Sequence, residues 1–192
     1  MKNTFKFLYP TLILATICLV VSLSLSSTNA ITKKRIEKIE SSKTQKAMSR
    51  VLDADDYIED TIKEDGKNVN YFKAVNEKKV EGYIFITSSN GYGGEVKVMT
   101  AVLPDKTVKA VEILDVSNET PGLGQNATNE KFYGQFKGKS GGVTVVKTGA
   151  DGKNNEINAI TGATITSRAV TKAVNEALEL CGKIKTEVSD NE

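Results

Sequence analysis

Thr161-Gly162-Ala163-Thr164 sets two hydroxyls around a glycine where a β-rich stretch gives way to an amphipathic helix. The first N–H groups of a helix have no partner inside it, and the helix dipole favours negative charge there. Hydroxyls at such a place are well positioned to hold a phosphate. Gly162 permits a sharp turn and the close approach of a bulky group. The same residues also suit a plain N-cap, with Thr161 or Thr164 as the capping side chain. Thr166 and Ser167 bring two further hydroxyls to the same turn, more than capping requires, and that surplus favours the phosphate.

Two glycine-rich segments stand out upstream. Glu119-Thr120-Pro121-Gly122-Leu123-Gly124 interrupts a strand region and reads first as a loop turning a corner. Leu123 between two glycines is unusual in such a loop: an apolar side chain on a stripped-down backbone suits the face of a flat ring. Glu119 reads as a solvated charge. Gly91-Tyr92-Gly93-Gly94 lacks the Gly-Lys-Ser/Thr of a phosphate loop and the spacing of a dinucleotide fingerprint, so it reads as a flexible turn into a strand.

Absent residues narrow the chemistry. The chain of 192 residues contains no histidine and no tryptophan. A Ser-His-Asp triad, a histidine base and histidine-based zinc sites are therefore excluded. Cys18 and Cys181 are the only cysteines, too few and too far apart for a four-thiolate iron–sulfur cluster or a CxxC pair. Redox chemistry, if present, must be carried by an organic cofactor. The net charge is +2, supplied by Lys2 and Lys6, so no basic face for nucleic acid is implied.

The elements that must position these groups follow from patterning. An apolar run over about 7–25 is long enough to cross a bilayer as a helix, and the hydroxyls of Thr16, Ser22 and Ser24 can bond within it. A cleaved signal ending at Thr28-Asn29-Ala30 is the rival reading. The length of the run and the helical pattern that follows it favour an anchor. Lys33, Lys34, Arg35 and Lys38 outnumber Lys2 and Lys6, so charge alone does not orient the span. Residues 32–52, with Ile36, Ile39, Ala47, Met48, Val51 and Leu52 among charges, read as a solvated helical stalk. Asp53 to Asp56 reads as a cap or turn; it lacks the glycine and distal glutamate of a calcium loop.

From Tyr71 the pattern turns to strands, at 80–87, 95–103 and 107–117, the last two joined by a turn at Pro104-Asp105-Lys106, with a fourth at 141–147. Phe132 to Phe136 suits a short helix. Residues 165–181 form an amphipathic helix with Val170, Ala173, Val174, Ala177, Leu178 and Cys181 on one face. The expected class is α+β: a twisted, mostly antiparallel sheet with packed helices, preceded by one N-terminal transmembrane helix. The expected division is an anchor over 1–30, a helical stalk over 31–60 and a folded domain over 61–192.

In this order, Gly91-Tyr92-Gly93-Gly94-Glu95, Glu119-Thr120-Pro121-Gly122-Leu123-Gly124, the stretch 132–139 and Thr161-Gly162-Ala163-Thr164-Ile165-Thr166-Ser167 resemble one family closely. It is the FMN-binding domain of the G subunit of the Rnf-type ion-translocating electron-transport complex, with its relative, the C subunit of the Na+-translocating NADH:quinone reductase. The likeness covers about 80–180. It implies that 61–192 is an FMN-binding domain and that FMN is joined through its phosphate to Thr164. A separate flavin transferase would make that bond with FAD as donor, which removes the need for a base in this chain. Thr161, Gly162 and Ala163 would line the phosphate. Leu123 and Gly124 would flank the isoalloxazine ring, and Thr120 would join them in binding the cofactor. The family commonly has an acidic residue six positions before the modified threonine; here that position holds Asn158.

The resemblance further implies a single-pass subunit of the cytoplasmic (inner) membrane with its soluble domain on the outer or periplasmic side. It would contact the lipid bilayer and the other membrane subunits of a ferredoxin:NAD+ oxidoreductase complex, passing electrons without being catalytic alone. Two other functions stay open: a free-standing, membrane-anchored FMN carrier, and a non-redox exported binding module in which Thr161-Gly162-Ala163-Thr164 is only a cap.

Overall fold

The computed structural model describes residues 2–64, 66–77, 79–150 and 155–189. It divides into Met1–Thr44 and Gln45–Glu192. The described residues of the first unit, 2–44, belong to helix α1 (Lys2–Val51). Within α1, Tyr9–Asn29 is long and apolar enough to cross a membrane, with a mean hydropathy of 2.0 and its side chains exposed. Some of its hydroxyls bond along the helix: Thr16 donates to the Leu12 carbonyl at 2.8 Å, and Ser24 to that of Val20 at 2.8 Å. Such bonds let a polar side chain sit in an apolar span at low cost. The side chains of Lys2, Lys6, Lys33, Lys34, Arg35, Ile36, Lys38 and Ile39 lie outside the described residues.

The second unit is built on a five-stranded antiparallel meander, β1 (Asp56–Glu64), β2 (Lys67–Asn76), β3 (Lys79–Asn90), β4 (Glu95–Val102) and β5 (Val108–Asp115), in sequential order. Strands β6 (Thr144–Val146) and β7 (Glu156–Asn158) form a separate parallel pair. Helix α2 (Glu130–Tyr133) is one turn, and α3 (Thr164–Ser189) is the long C-terminal helix. The α+β class, the mostly antiparallel sheet and the N-terminal apolar helix are as expected.

Both faces of the sheet are covered. On one, Tyr71, Phe85, Val96, Val98 and Val111 pack against Val170, Ala173, Val174, Ala177 and Cys181 of α3. Small residues on α3 bring its backbone close, and Thr87 Oγ1 reaches the Ala173 carbonyl at 2.9 Å. On the other face, Ala74, Ile84, Met99 and Ala101 meet Ala47, Met48, Val51 and Leu52. Double coverage explains why β3 and β4 read as near-continuous apolar runs: successive side chains point to opposite faces, and both faces are core.

Two expectations need correction. The stretch 47–52 is not solvated stalk. Its four apolar residues are buried against the sheet, Arg50 pairs with Glu112 at 2.7 Å, and Tyr57 Oη donates to the Leu52 carbonyl at 2.7 Å. The sheet also starts earlier than Tyr71. Strand β1 begins at Asp56 and, as an edge, presents mostly exposed polar side chains, which hid it from an apolar pattern.

Met48→Ala should cost about 2–5 kcal/mol, because it opens a cavity between helix and sheet. Arg50→Ala, at a largely exposed pair, should cost at most about 1 kcal/mol. Urea unfolding followed by circular dichroism separates the two.

Candidate functional site

Helix α3 begins at Thr164, after a turn in which Gly162 has φ +77°. An L side chain is strained there, so the turn calls for glycine. Ser167 staples the turn to the helix. Its hydroxyl donates to the Ala163 carbonyl at 2.9 Å and accepts from the Ile160 N–H at 2.9 Å. Thr166 is buried and donates to Glu119 Oε2 at 2.6 Å. Two of the four hydroxyls at this turn are thus consumed in holding it together. Thr161 is exposed and Thr164 half-buried, and among the described residues neither hydroxyl has a hydrogen-bond partner. Neither serves as a side-chain cap.

The loop 119–124 packs directly on this turn. Leu123 covers Gly162: a Cβ there would lie 3.0 Å from Leu123 Cδ2. Leu123 is nonetheless 42% exposed, leaving an apolar face open beside the helix start. Thr120 is exposed, and its carbonyl organises the loop by accepting from the N–H groups of Leu123 (3.1 Å) and Gln125 (3.3 Å). Gly122 has φ +75° and open space around it.

Glu119 departs most from expectation. It is 2% exposed, not solvated. Its Oε1 accepts from the Gly93 N–H at 3.0 Å, and its Oε2 accepts from Thr166. A Cβ at Gly91 would overlap Glu119 Oε1; one at Gly124 would overlap Glu119 Oε2 and come within 2.8 Å of Thr166 Oγ1. A Cβ at Gly93 would run into the Asn118 carbonyl. Three of the glycines in the two loops are therefore space for one carboxylate and its flanking backbone. That explains the glycine-rich turn at 91–94, which sequence reasoning left without a role. Its signal was the pairing of a glycine cluster with a lone acid at a loop start, which is legible only once the two are known to touch.

On the Thr161 side lies a cleft of about 690 Å3, lined by Asn126, Asn129, Gln135, Asn158, Ile160 and Thr161 among others. This volume is typical of small-molecule sites. Asn158, at the end of β7, is tied in by its neighbours: its Oδ1 accepts from the Ala150 N–H at 3.0 Å, and its N–H donates to Gln135 Oε1 at 2.8 Å. The geometry thus brings together Gly91 to Gly94, the 119–124 loop and the 161–167 turn, with two free threonine hydroxyls, an open apolar face and a cleft at one helix start. Among the described residues no group of acidic or cysteine side chains could hold a metal ion.

Residues 91–179 match the FMN-binding domain family. The chain is 47% identical over 111 residues to the G subunit of the proton-translocating ferredoxin:NAD(+) oxidoreductase complex of Clostridium ljungdahlii, a match covering 57% of this chain and 58% of that one. It is 44% identical over 105 residues to the G subunit of the Na(+)-translocating ferredoxin:NAD(+) oxidoreductase complex of Acetobacterium woodii, covering 53% and 50%. The chain thus spans between half and three fifths of the length of these relatives. Its fold is similar to that of the C subunit of the Na(+)-translocating NADH-quinone reductase of Parabacteroides distasonis, with a TM-score of 0.50, 28% identity and 62% of each chain covered. The family resemblance carried by the motifs is borne out.

Gly124→Ala should destabilise by about 3 kcal/mol, since the new methyl displaces the buried carboxylate. Gly122→Ala meets no neighbour and should cost only about 1 kcal/mol, from backbone strain. Guanidinium unfolding of the two variants side by side checks this ranking.

Proposed function

We propose that Thr164 carries FMN through a phosphoester, and that the chain is the G subunit of a membrane-bound ion-translocating ferredoxin:NAD+ oxidoreductase complex, passing electrons through that flavin. One observation carries the reading. The hydroxyl of Thr164 is half-exposed and unpartnered at the first turn of α3, inside a region that matches FMN-binding domains. Once bound, FMN supplies the one- and two-electron chemistry that the side chains of this protein cannot.

The residues fit such a group. Thr164 Oγ1 provides the ester oxygen. The N–H groups that open α3 would hold the phosphate, and the helix dipole would favour its charge. Arg168, one turn on and exposed, adds a cation that is in no ion pair among the described residues. Gly162 keeps the approach to the phosphate clear. Leu123 offers an apolar face to the ring, with Thr120 and Gly124 shaping its loop. The cleft bounded by Thr161 and Asn158 gives the flavin room.

Attachment calls for an external transferase with FAD as donor. The Thr164 Oγ1–phosphorus bond forms, the pyrophosphate bond of FAD breaks, AMP leaves and the hydroxyl proton passes to solvent. No histidine is present to activate the threonine, which supports an outside enzyme. The apolar segment Tyr9–Asn29 supports a single-pass anchor in the cytoplasmic membrane. A soluble domain on its outer side suits a tethered cofactor, since a free one would diffuse away there. The names of the relatives favour a complex over a free-standing carrier.

Co-expressed with an active flavin transferase, the full chain should gain the mass of one FMN less water and fluoresce on a denaturing gel. Thr164→Val should abolish both signals, whereas Thr161→Val should keep them. A fluorescent band from the Thr164→Val protein overturns the assignment.

A further inference from the structure

Glu119 is a buried acid with no cation paired to it among the described residues. Among the described residues no salt bridge involves its carboxyl group, whose hydrogen-bond partners there are the Gly93 N–H and the Thr166 hydroxyl. Both carboxyl oxygens are engaged, one by the Gly93 N–H and the other by the Thr166 hydroxyl, so the side chain is held at both ends of its carboxyl group. Burying a charge without a counter-ion is expensive, and a neutral amide of the same shape could span the same gap at lower cost. A carboxylate kept under that penalty, at the junction of the three segments that frame the flavin site, points to a use for its charge.

Its position says what the use is. Thr166, which it grips, is two residues from Thr164 on the same helical turn. Gly124, whose missing side chain makes room for Oε2, directly follows Leu123, the residue that covers Gly162. The carboxylate therefore lies beneath the loop and turn that flank the ester oxygen, on the protein side and out of water. In such surroundings a charge acts over several ångströms with little screening by salt.

We infer that Glu119 is a positioning residue with a second, electrostatic role: it locks the 91–94 and 119–124 loops onto the start of α3, and its fixed negative charge makes the flavin on Thr164 harder to reduce. Each electron added to the ring brings negative charge toward a carboxylate that cannot move away. The geometric part acts through Thr166 and the glycines. The electrostatic part acts through space and depends on charge, not shape. This inference rests on the proposed attachment of FMN to Thr164.

The test compares Glu119→Gln and Thr166→Val with wild type, all in the full-length, flavin-loaded protein, by spectroelectrochemical titration at pH 8 in low and high salt. Glu119→Gln removes the charge and keeps the shape, so the midpoint potential should rise, and the rise should persist in high salt. Thr166→Val removes the tie and keeps the charge, now less well solvated by hydrogen bonds, so the potential should fall. Both variants should melt at lower temperature. A purely structural Glu119 lowers melting temperature in both and shifts the potential in neither, or in the same direction in both; either result overturns the inference. If Glu119→Gln fails to fold or to take up flavin, Thr166→Val decides alone: a fall supports the inference, and no change or a rise overturns it. Absence of flavin from the wild-type protein instead refutes the attachment to Thr164, so the two failures are distinguishable.

Discussion

The architecture around the candidate site depends on one buried carboxylate. Loops rich in glycine have little reason to hold a shape, since each glycine surrenders more conformational freedom on folding than any other residue. Here two such loops and a helix start are fixed because Glu119 accepts a bond from each of two of them and is covered by the third. Bonds to a charged acceptor are about twice as strong as neutral ones. Removing the side chains of Gly91 and Gly124 is what lets the carboxylate in, so glycine content and buried acid are two halves of one device.

The rest of the fold supplies a rigid base for that device. Helix α3 starts at the site and runs down one face of a five-stranded sheet, its small residues seated on Phe85, Val96 and Val98. A helix held along its length cannot shift at its first turn, so Thr164 and Thr166 are placed by contacts many residues away. The opposite face of the sheet is closed by residues 47–52 at the end of α1, with Met99 and Ala101 beneath them. The sheet is thus a central layer with core on both sides, and the loops at its edge inherit that stiffness.

Much of this was legible in the sequence, and the gaps have physical causes. Strands β3, β4 and β5 and helix α3 announced themselves through their apolar periods, with burial deepest at β3 and β4. The first two strands did not: β1, at an edge, alternates charge with isolated apolar residues, a pattern that serves a turn or a solvated helix equally well. The order of the motifs pointed to Thr164, and the structure places Leu123, Gly162 and Thr164 around the same helix start. What could not be read was the fate of individual polar groups. Thr161, Thr164, Thr166 and Ser167 look alike in a string, yet two are bonded inside and two are not. Glu119 looked like any loop acid because burial of a lone charge is set by tertiary contacts with residues 26 and 47 positions away.

The openness of the site bears on why a covalent bond would be wanted there. A flavin held only by contacts needs enclosure, with most of its surface buried. Beyond the cleft beside Thr161, this site offers the reverse. Leu123 and Ile165 at the helix start, and Tyr92 on the turn that Glu119 anchors, are 42%, 53% and 72% exposed, and Thr161 faces solvent. Such a rim gives an electron partner close approach to the ring, but it leaves too little buried area for tight non-covalent binding. The proposed ester to Thr164 would resolve the conflict: retention would no longer depend on burial, so the walls could stay low where electrons would pass. The protein then needs only to fix the angle of the attachment point and the charge beneath it, and a rigid helix start with a buried acid does both.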